Sequence, residues 1–203
     1  MNMKSLIQEI WASVAVIFVL GVVLCGAYPL VVWGIGQVAF HSQANGSLVE
    51  RNGKVVGSSL IAQNFTGKRY FHPRPSGAGD FGYDAANSNA SNLGPLSKTL
   101  RDQVKDRVEA YRAENNLSAS QMAPADAVTE SASGLDPDIS VRNAELQAAR
   151  VASARGMEVD EVRKYISSFT SGRQLGFLGE PRVNVLMLNL ALDQSKSKTG
   201  GTQ

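Results

Sequence analysis

The chain has 203 residues, 43% of them hydrophobic, and a formal net charge of +2. Its lysines and arginines are spread among aspartates and glutamates without a basic run, which argues against nucleic-acid binding. A single cysteine excludes an internal disulfide, and two histidines without a cysteine or carboxylate cluster argue against a zinc site.

An uncharged stretch runs from Ile10 to Val49, and its inner part, from Trp11 to Trp33, is apolar almost throughout. A bilayer core about 30 Å thick needs about 20 helical residues to cross it. The two tryptophans lie near the ends, where aromatic rings prefer the headgroup level. We therefore predict a transmembrane helix over residues 10–36, preceded by a short cytoplasmic N-terminus at residues 1–9.

The flanks of this span predict its orientation. Lys4 precedes the span, and no further lysine or arginine follows until Arg51, so the positive-inside bias favours a cytoplasmic N-terminus. A cleaved secretory signal is the main alternative, but its apolar region would be only about 7–15 residues long. Lipidation of the cysteine is disfavoured because a leucine precedes it. We expect a retained span, a soluble exported domain over residues 37–193 and a disordered tail over residues 194–203.

The soluble part opens with a predicted β-hairpin over residues 47–57. Asn52 and Gly53 suit the two φ > 0 positions of a type I′ turn between β-favouring runs. Three apolar residues that follow are expected to be buried: Leu60, Ile61 and Phe65. Residues 66–92 are rich in Gly, Pro, Ser and Asn and predict a long ordered loop, which is often a functional feature.

Helices and one strand are predicted in the rest of the chain. Apolar residues at spacings of three and four predict a helix over residues 93–115, with Asn92 as its N-cap. Ser140 is the expected N-cap of a second helix, which ends at Gly156 in a left-handed conformation. A third, short helix follows. The nearly continuous apolar run at residues 183–190 predicts a central buried strand.

These elements define the expected fold class and its chemistry. The class is α+β, with one N-terminal transmembrane helix followed by a single mixed α/β soluble domain. No P-loop, nucleophile elbow or two-histidine zinc pattern occurs in the sequence. Residues 77–82 match G-x-G-x-x-G, but inside a loop, where the motif has little meaning. We expect His72 to be a hydrogen-bonding loop residue, not a ligand or base.

Three blocks join rigid turn residues to polar side chains: residues 70–76, 131–137 and 176–185. Polar side chains in such loops most often satisfy backbone groups, and this structural interpretation is favoured over a binding role.

Several long motifs in a fixed order nevertheless carry a family resemblance. They are Gly57–Phe65, Tyr70–Ser76, Ser91–Pro95, Ser133–Ser140 and Leu175–Asp193. On these residues the chain resembles the C subunit of the Kdp-type potassium-transporting ATPase. Two positions depart from the family pattern: Asp138 stands where a histidine is usual, and Asn89-Ala90 replaces a Gly-Gly pair.

The resemblance implies a four-protein complex of the cell inner membrane. Its other members are a channel-like potassium-binding subunit, a P-type ATPase subunit and a small stabilising peptide. It implies that this chain does no chemistry and supports assembly and K⁺-stimulated ATP hydrolysis, with its soluble domain in the periplasm. A catalytic-chaperone role, raising the ATP affinity of the ATPase subunit, is also implied, with Ser133, Gly134 and Gln147 as positions for nucleotide contact.

That nucleotide contact conflicts with the predicted topology, because an exported domain lies across the membrane from cytoplasmic ATP. A structural or gating role over the channel-like subunit fits the topology better. Two functions of other classes stay open from the residues alone. A membrane-anchored exported hydrolase would need a nucleophile–base pair, for which the sequence offers only the isolated His72. A lone anchored binding module would purify without membrane partners.

Overall fold

The computed structural model describes residues 3–199, with side chains described for residues 3–195. The chain forms two compact units, residues 1–48 and residues 49–203, and each is described by itself. The first two residues of the predicted cytoplasmic segment and the last four of the predicted tail lie outside the described range.

The N-terminal unit contains a long apolar helix, Met3–Ala39. It consists of α1 (Met3–Gly21), a π-helical segment (Val22–Ala27) and α2 (Tyr28–Ala39), and a short α3 (His41–Ala44) follows. Its mean hydropathy reaches 2.6 over 18 residues, and none of that window is buried. In the described part of the chain, this is the helix long and apolar enough to cross a membrane. It fits a single-pass membrane protein.

Pro29 explains why the helix changes its hydrogen bonding where it does. Proline lacks the backbone N–H that would otherwise bond to the preceding turn. The π-helical segment Val22–Ala27 ends two residues before this proline, and π-helical turns commonly occur where the regular ladder is interrupted.

The C-terminal domain begins with the predicted hairpin, β1 (Leu48–Arg51) and β2 (Lys54–Ser58). Asn52 and Gly53 have φ values of 52° and 73°, which confirms the type I′ turn. A second, three-stranded sheet is made of β3 (Asp138–Ser140), β4 (Thr170–Ser171) and β5 (Arg182–Asn184). Its order is β3-β5-β4, and both pairings are antiparallel.

Five helices complete the domain: α4 (Lys98–Glu114), α5 (Ala125–Val128), α6 (Val141–Arg155), α7 (Val159–Ser168) and α8 (Val185–Thr199). The predicted caps of α6 are confirmed: the Ser140 hydroxyl accepts from the Asn143 N–H, and Gly156 has a φ of 65°. The predicted start of α4 is wrong. Asn92 has a φ of 51°, which does not suit an N-cap, and Ser97 caps the helix instead.

The predicted strand over residues 183–190 is wrong beyond its first residues. β5 ends at Asn184, whose side-chain oxygen accepts a hydrogen bond from the Met187 N–H and so caps α8. A helix surrounded by the core also has a continuous apolar run, so periodicity could not separate the two. The helix extends to Thr199, whereas a disordered tail was expected from residue 194.

The core lies between the second sheet and helices α6, α7 and α8. Its fully buried members include Phe71, which the long loop contributes, and the following residues of regular elements: Ile139, Ala148, Val151, Ile166, Val183, Leu188 and Leu192. Leu60 is 57% exposed, so the prediction that it is buried is wrong, whereas Ile61 and Phe65 are partly buried.

Replacing Leu188 with Ala should therefore lower the free energy of unfolding by about 2–5 kcal/mol, because the side chain is fully buried and leaves a cavity. Leu96, which is 98% exposed, provides a matched control whose replacement should change stability by less than about 0.5 kcal/mol. Chemical denaturation measures both. Equal effects of the two substitutions would contradict the packing described for α8.

Candidate functional site

Two buried side-chain amides fix the backbone of the long loop. The Asn189 amide accepts from the Phe71 N–H at 2.8 Å and donates to the Phe71 carbonyl at 2.9 Å. The Gln147 amide does the same for the next residue: it accepts from the His72 N–H at 2.8 Å and donates to its carbonyl at 3.2 Å. Because α8 and α6 each supply one amide, the loop is held to both helices.

Gln147 has no hydrogen-bonding capacity left over. Besides its two bonds to His72, it donates to the Asn143 side-chain oxygen at 2.9 Å and accepts from the Arg150 guanidinium at 2.8 Å. A side-chain amide offers two N–H donors and two acceptor lone pairs, so all four positions are used. The residue is only 1% exposed. A ligand could contact this amide only by displacing an internal bond.

Arg150 extends this network along α6. Its guanidinium donates to the carbonyls of Lys68 and Tyr70 at 2.7 and 2.9 Å, and to the Asn115 side chain at 2.9 Å. Burial lowers the pKa of Arg150, with Glu114 acting in the opposite direction. The buried Arg150 guanidinium thus satisfies two carbonyl groups of the loop, those of Lys68 and Tyr70.

Beside this network lies a cavity of about 400 Å³. It is lined by loop residues and by α4, α5 and α6: Asn64, Phe65, Thr66, His72, Pro73, Pro75, Tyr83, Arg107, Ala110, Tyr111, Glu114, Ala127, Asn143 and Gln147. Burial raises the pKa of both Tyr83 and Tyr111, in the case of Tyr83 to about 12. The two phenols stay protonated at neutral pH and act as donors, to the Arg74 carbonyl and to the Asn143 side chain.

His72 is a hydrogen-bonding loop residue, as expected. Its Nδ1 lies 3.1 Å from the Glu114 carboxylate and its Nε2 lies 3.1 Å from the Gly67 carbonyl. Burial and the Arg150 charge lower the pKa of His72, whereas the Glu114 carboxylate and the Gly67 carbonyl raise it. Both ring nitrogens of His72 face acceptor oxygens of the fold, those of Glu114 and Gly67.

Ser133 and Gly134 lie in a different cluster, which ties residues 131–136 to other parts of the long loop. The Ser76 hydroxyl donates to the Gly134 carbonyl at 2.6 Å, and the Ser88 hydroxyl donates to the Ser133 carbonyl at 2.9 Å. The Ser133 hydroxyl accepts from the Leu135 N–H. Neither Ser133 nor Gly134 lines the cavity that Gln147 borders.

Replacing Gly134 with Ala should loosen this cluster. The glycine has a φ of 68°, and an added Cβ would lie 2.6 Å from the Asn89 carbonyl and 2.7 Å from the Ala78 nitrogen. Strain at such a position costs of the order of 1–3 kcal/mol. Gly94, around which an added Cβ meets nothing, is the matched control. A thermal midpoint for Gly134→Ala equal to that for Gly94→Ala would contradict the close packing.

Ion pairs reinforce the same region. Arg74 donates to Asp136 at 2.8 Å, and Arg107 bonds to Glu130. The Arg107 hydrogen bond lowers the pKa of the Glu130 carboxyl. At the position of the family departure, Asp138 accepts from Arg182 at 2.8 Å, although burial raises its pKa. The aspartate thus links β3 to β5.

Metal and dinucleotide chemistry find little support in the described part of the chain. Residues 3–199 contain no group of three or more His, Cys, Asp or Glu side chains that could hold a metal ion. Residues 77–82, which match G-x-G-x-x-G, lie in turns, and the next helix, α4, begins only at Lys98. The motif therefore lacks the strand and helix that would give it meaning.

Sequence reasoning missed Asn189, although a signal was present. It stands within an otherwise apolar run and is 1% exposed. A polar residue in such a run must find partners, and here they are the two backbone groups of Phe71.

Comparison with known proteins identifies the family. The KdpC family, described as the K⁺-transporting ATPase c chain, matches residues 10–194. A potassium-transporting ATPase KdpC subunit of Mycobacterium tuberculosis (strain H37Rv) is 54% identical over 187 residues, which is 92% of this chain and 98% of that protein. The chain belongs to the KdpC family.

Further relatives agree with this assignment. A KdpC subunit of Rhodospirillum rubrum is 60% identical over 168 residues, 83% of this chain and 86% of that protein. One of Nitratidesulfovibrio vulgaris is 51% identical over 191 residues, 94% and 95% of the two chains. The family resemblance that the sequence motifs indicated is confirmed, and so is a role in potassium transport as a subunit of an ATPase complex.

Proposed function

We propose that this subunit does no chemistry and supports assembly and K⁺-stimulated ATP hydrolysis by the P-type ATPase subunit of the complex. The N-terminal helix anchors it in the cell inner membrane, with the N-terminus cytoplasmic and the soluble domain periplasmic. The internal use of the polar groups around Gln147 and His72 supports a non-catalytic role, because these groups are committed to holding the loop.

The observation that carries this proposal is an exposed apolar turn, residues 173–180, which we name the apolar tip. Leu175, Phe177 and Leu178 are 83%, 68% and 48% exposed. Arg173 and Glu180 form an ion pair at 2.7 Å across the base of the turn. Two backbone hydrogen bonds of 2.9 Å join Gln174 and Leu178. Leu175 has a φ of 52°, in the left-handed region that residues other than glycine seldom adopt.

A turn that is both apolar and stiff fits a protein-binding element. Large apolar side chains gathered in solvent indicate an interaction site, and a rigid backbone reduces the entropy lost on binding. We propose that the apolar tip contacts another subunit of the complex, with the channel-like potassium-binding subunit as first choice. The P-type ATPase subunit and the small stabilising peptide are the other proposed partners.

Co-purification tests the proposal. Phe177→Ser should lower recovery of the other subunits with a tagged copy of this chain, because removing a central apolar anchor weakens binding by about 30-fold or more. Met122→Ser is a matched control, since Met122 is 69% exposed but lies outside the apolar tip. Equal recovery with the two variants would contradict a docking role for the tip.

The proposed topology has its own test. A reporter that is active only outside the cytoplasm, fused after Asp193, should be active. An inactive fusion, or a mature chain that begins near residue 45, would contradict the retained span and the exported domain.

The nucleotide contact at Ser133, Gly134 and Gln147 stays a prediction of the family resemblance. We expect the full chain to bind ATP weakly or not at all, because its described part has no phosphate-cradling loop at a helix N-terminus. Sub-micromolar ATP binding that disappears in a folded Gln147→Ala variant would favour the catalytic-chaperone role. It would also require a domain that reaches cytoplasmic ATP.

A further inference from the structure

We propose that Arg51 and Arg69, which lie beside the buried Arg155–Asp193 ion pair, form a binding site for a phosphate group, supplied by an anionic phospholipid headgroup or by free phosphate.

The three guanidinium groups converge on one carboxylate, that of Asp193. Arg155 Nη1 lies 3.0 Å from Asp193 Oδ1, Arg69 Nη2 lies 3.6 Å from the same oxygen, and Arg51 Nη1 lies 3.6 Å from Oδ2. The Tyr70 hydroxyl donates to Oδ2 at 3.3 Å. Three positive charges therefore share one negative charge, which leaves an excess of two.

Asp193 is engaged chiefly by Arg155. The Arg155 side chain is fully buried, its Nε donates to the Arg69 carbonyl at 2.7 Å, and its guanidinium carbon lies 5.3 Å from the centre of the Tyr70 ring. Its Nη2 is buried without a hydrogen-bond partner among the described residues. A buried cation needs the nearby carboxylate, so Asp193 cannot also neutralise the two outer arginines.

The outer arginines are placed to receive a ligand. The side chains of Arg51 and Arg69 are 33% and 46% exposed. At 3.6 Å from Asp193 neither is within hydrogen-bonding range. Neither guanidinium donates a hydrogen bond to another side chain or backbone group of the described residues. A guanidinium presents its N–H groups as a planar fork that matches phosphate oxygens, and two forks beside one carboxylate can bind a single phosphate together.

The membrane is one source of that phosphate. Arg51 follows soon after Ala39, the last residue of the apolar helix, and basic residues close in sequence to a span attract anionic headgroups. The Asp193 carboxylate is an unfavourable neighbour for an anion. The excess of two positive charges outweighs it.

The full chain reconstituted in lipid discs provides the test. One arm compares phosphatidylcholine discs with discs that contain phosphatidylglycerol, and a second arm adds inorganic phosphate to the phosphatidylcholine discs. The readout is the thermal unfolding midpoint of the domain. Arg51→Gln/Arg69→Gln should lose the response, with phosphate affinity about a hundredfold weaker, because each charge-assisted contact contributes about tenfold. Lys98→Gln/Arg101→Gln removes two exposed positive charges from α4 and should respond like the unaltered chain.

The two arms separate the sources of phosphate. A response to phosphatidylglycerol alone assigns the site to a headgroup, a response to inorganic phosphate alone assigns it to free phosphate, and a response to both supports the shared chemistry. The thermal unfolding midpoint without ligand shows whether the double variant is folded. If the double variant does not fold, the single Arg51→Gln variant is measured in its place. No response in either arm, or an equal response from the arginine variants and the unaltered chain, would overturn the proposal.

Discussion

Replacing Asp193 with Asn should lower the free energy of unfolding of the domain by about 3–5 kcal/mol. The substitution keeps the shape of the side chain but removes the negative charge on which three arginines converge. Arg155, whose side chain is fully buried, would keep its positive charge without a counter-ion. Removing one partner of a buried pair is costly because the remaining charge stays out of water.

Chemical denaturation measures this effect, and Asp160→Asn is its control. Asp160 also pairs with an arginine, at 3.0 Å, but its side chain is 84% exposed, so water can replace the carboxylate. We expect little change in that variant. If both substitutions shifted the midpoint equally, Asp193 would not have the organising role that its contacts indicate.

Replacing Gln147 with Ala should also cost about 2–6 kcal/mol, because at least two buried groups would lose their partners at about 1–3 kcal/mol each. They are the backbone N–H of His72 and one nitrogen of Arg150. The loop around Phe71 and His72 should become accessible, so its amide hydrogens should exchange faster than in the unaltered chain.

Gln121→Ala is a suitable control for this substitution, since Gln121 is exposed and its side chain bonds to the nearby Ser118. Its effect on stability should lie within about 0.5 kcal/mol. Unchanged hydrogen exchange in the long loop of a Gln147→Ala protein would show that this amide does not hold the loop.

Features of the fold that depend on neighbouring residues could be predicted from the sequence. The hairpin turn at Asn52 and Gly53 and the two ends of α6 at Ser140 and Gly156 follow from backbone preferences of single residues. The apolar N-terminal helix follows from composition alone. None of these requires knowledge of distant contacts.

The α8 helix shows where such reasoning reaches its limit. An unbroken apolar run is compatible with a buried strand or a buried helix, and the surrounding core decides between them. The cap at Asn184 was the local signal for a helix, but an asparagine before an apolar run also suits a turn before a strand. Burial was expected for Val185, Leu186, Met187 and Leu188, and the structure buries all of them except Met187, which is half-buried, even though their predicted secondary structure is wrong.

The candidate site could be predicted only in part. His72 and Gln147 were singled out, but the bonds that join them connect residues 75 positions apart. Asn189 bonds to Phe71, which lies 118 positions away in the sequence. Asp193 contacts arginines from separate parts of the chain. Long-range pairing of this kind depends on the tertiary packing, which no local pattern in one sequence encodes.

The measurement that tests the central claim most directly is K⁺-stimulated ATP hydrolysis by the purified complex, assembled with and without this chain. We expect loss of the K⁺-stimulated activity without the chain. A complex with His72→Gln should keep most of the K⁺-stimulated activity. Removing a general acid or base would instead lower that activity by about 10²–10⁴-fold. Full activity without the chain, or a loss of that size in a folded His72→Gln complex, would contradict a supporting subunit that does no chemistry.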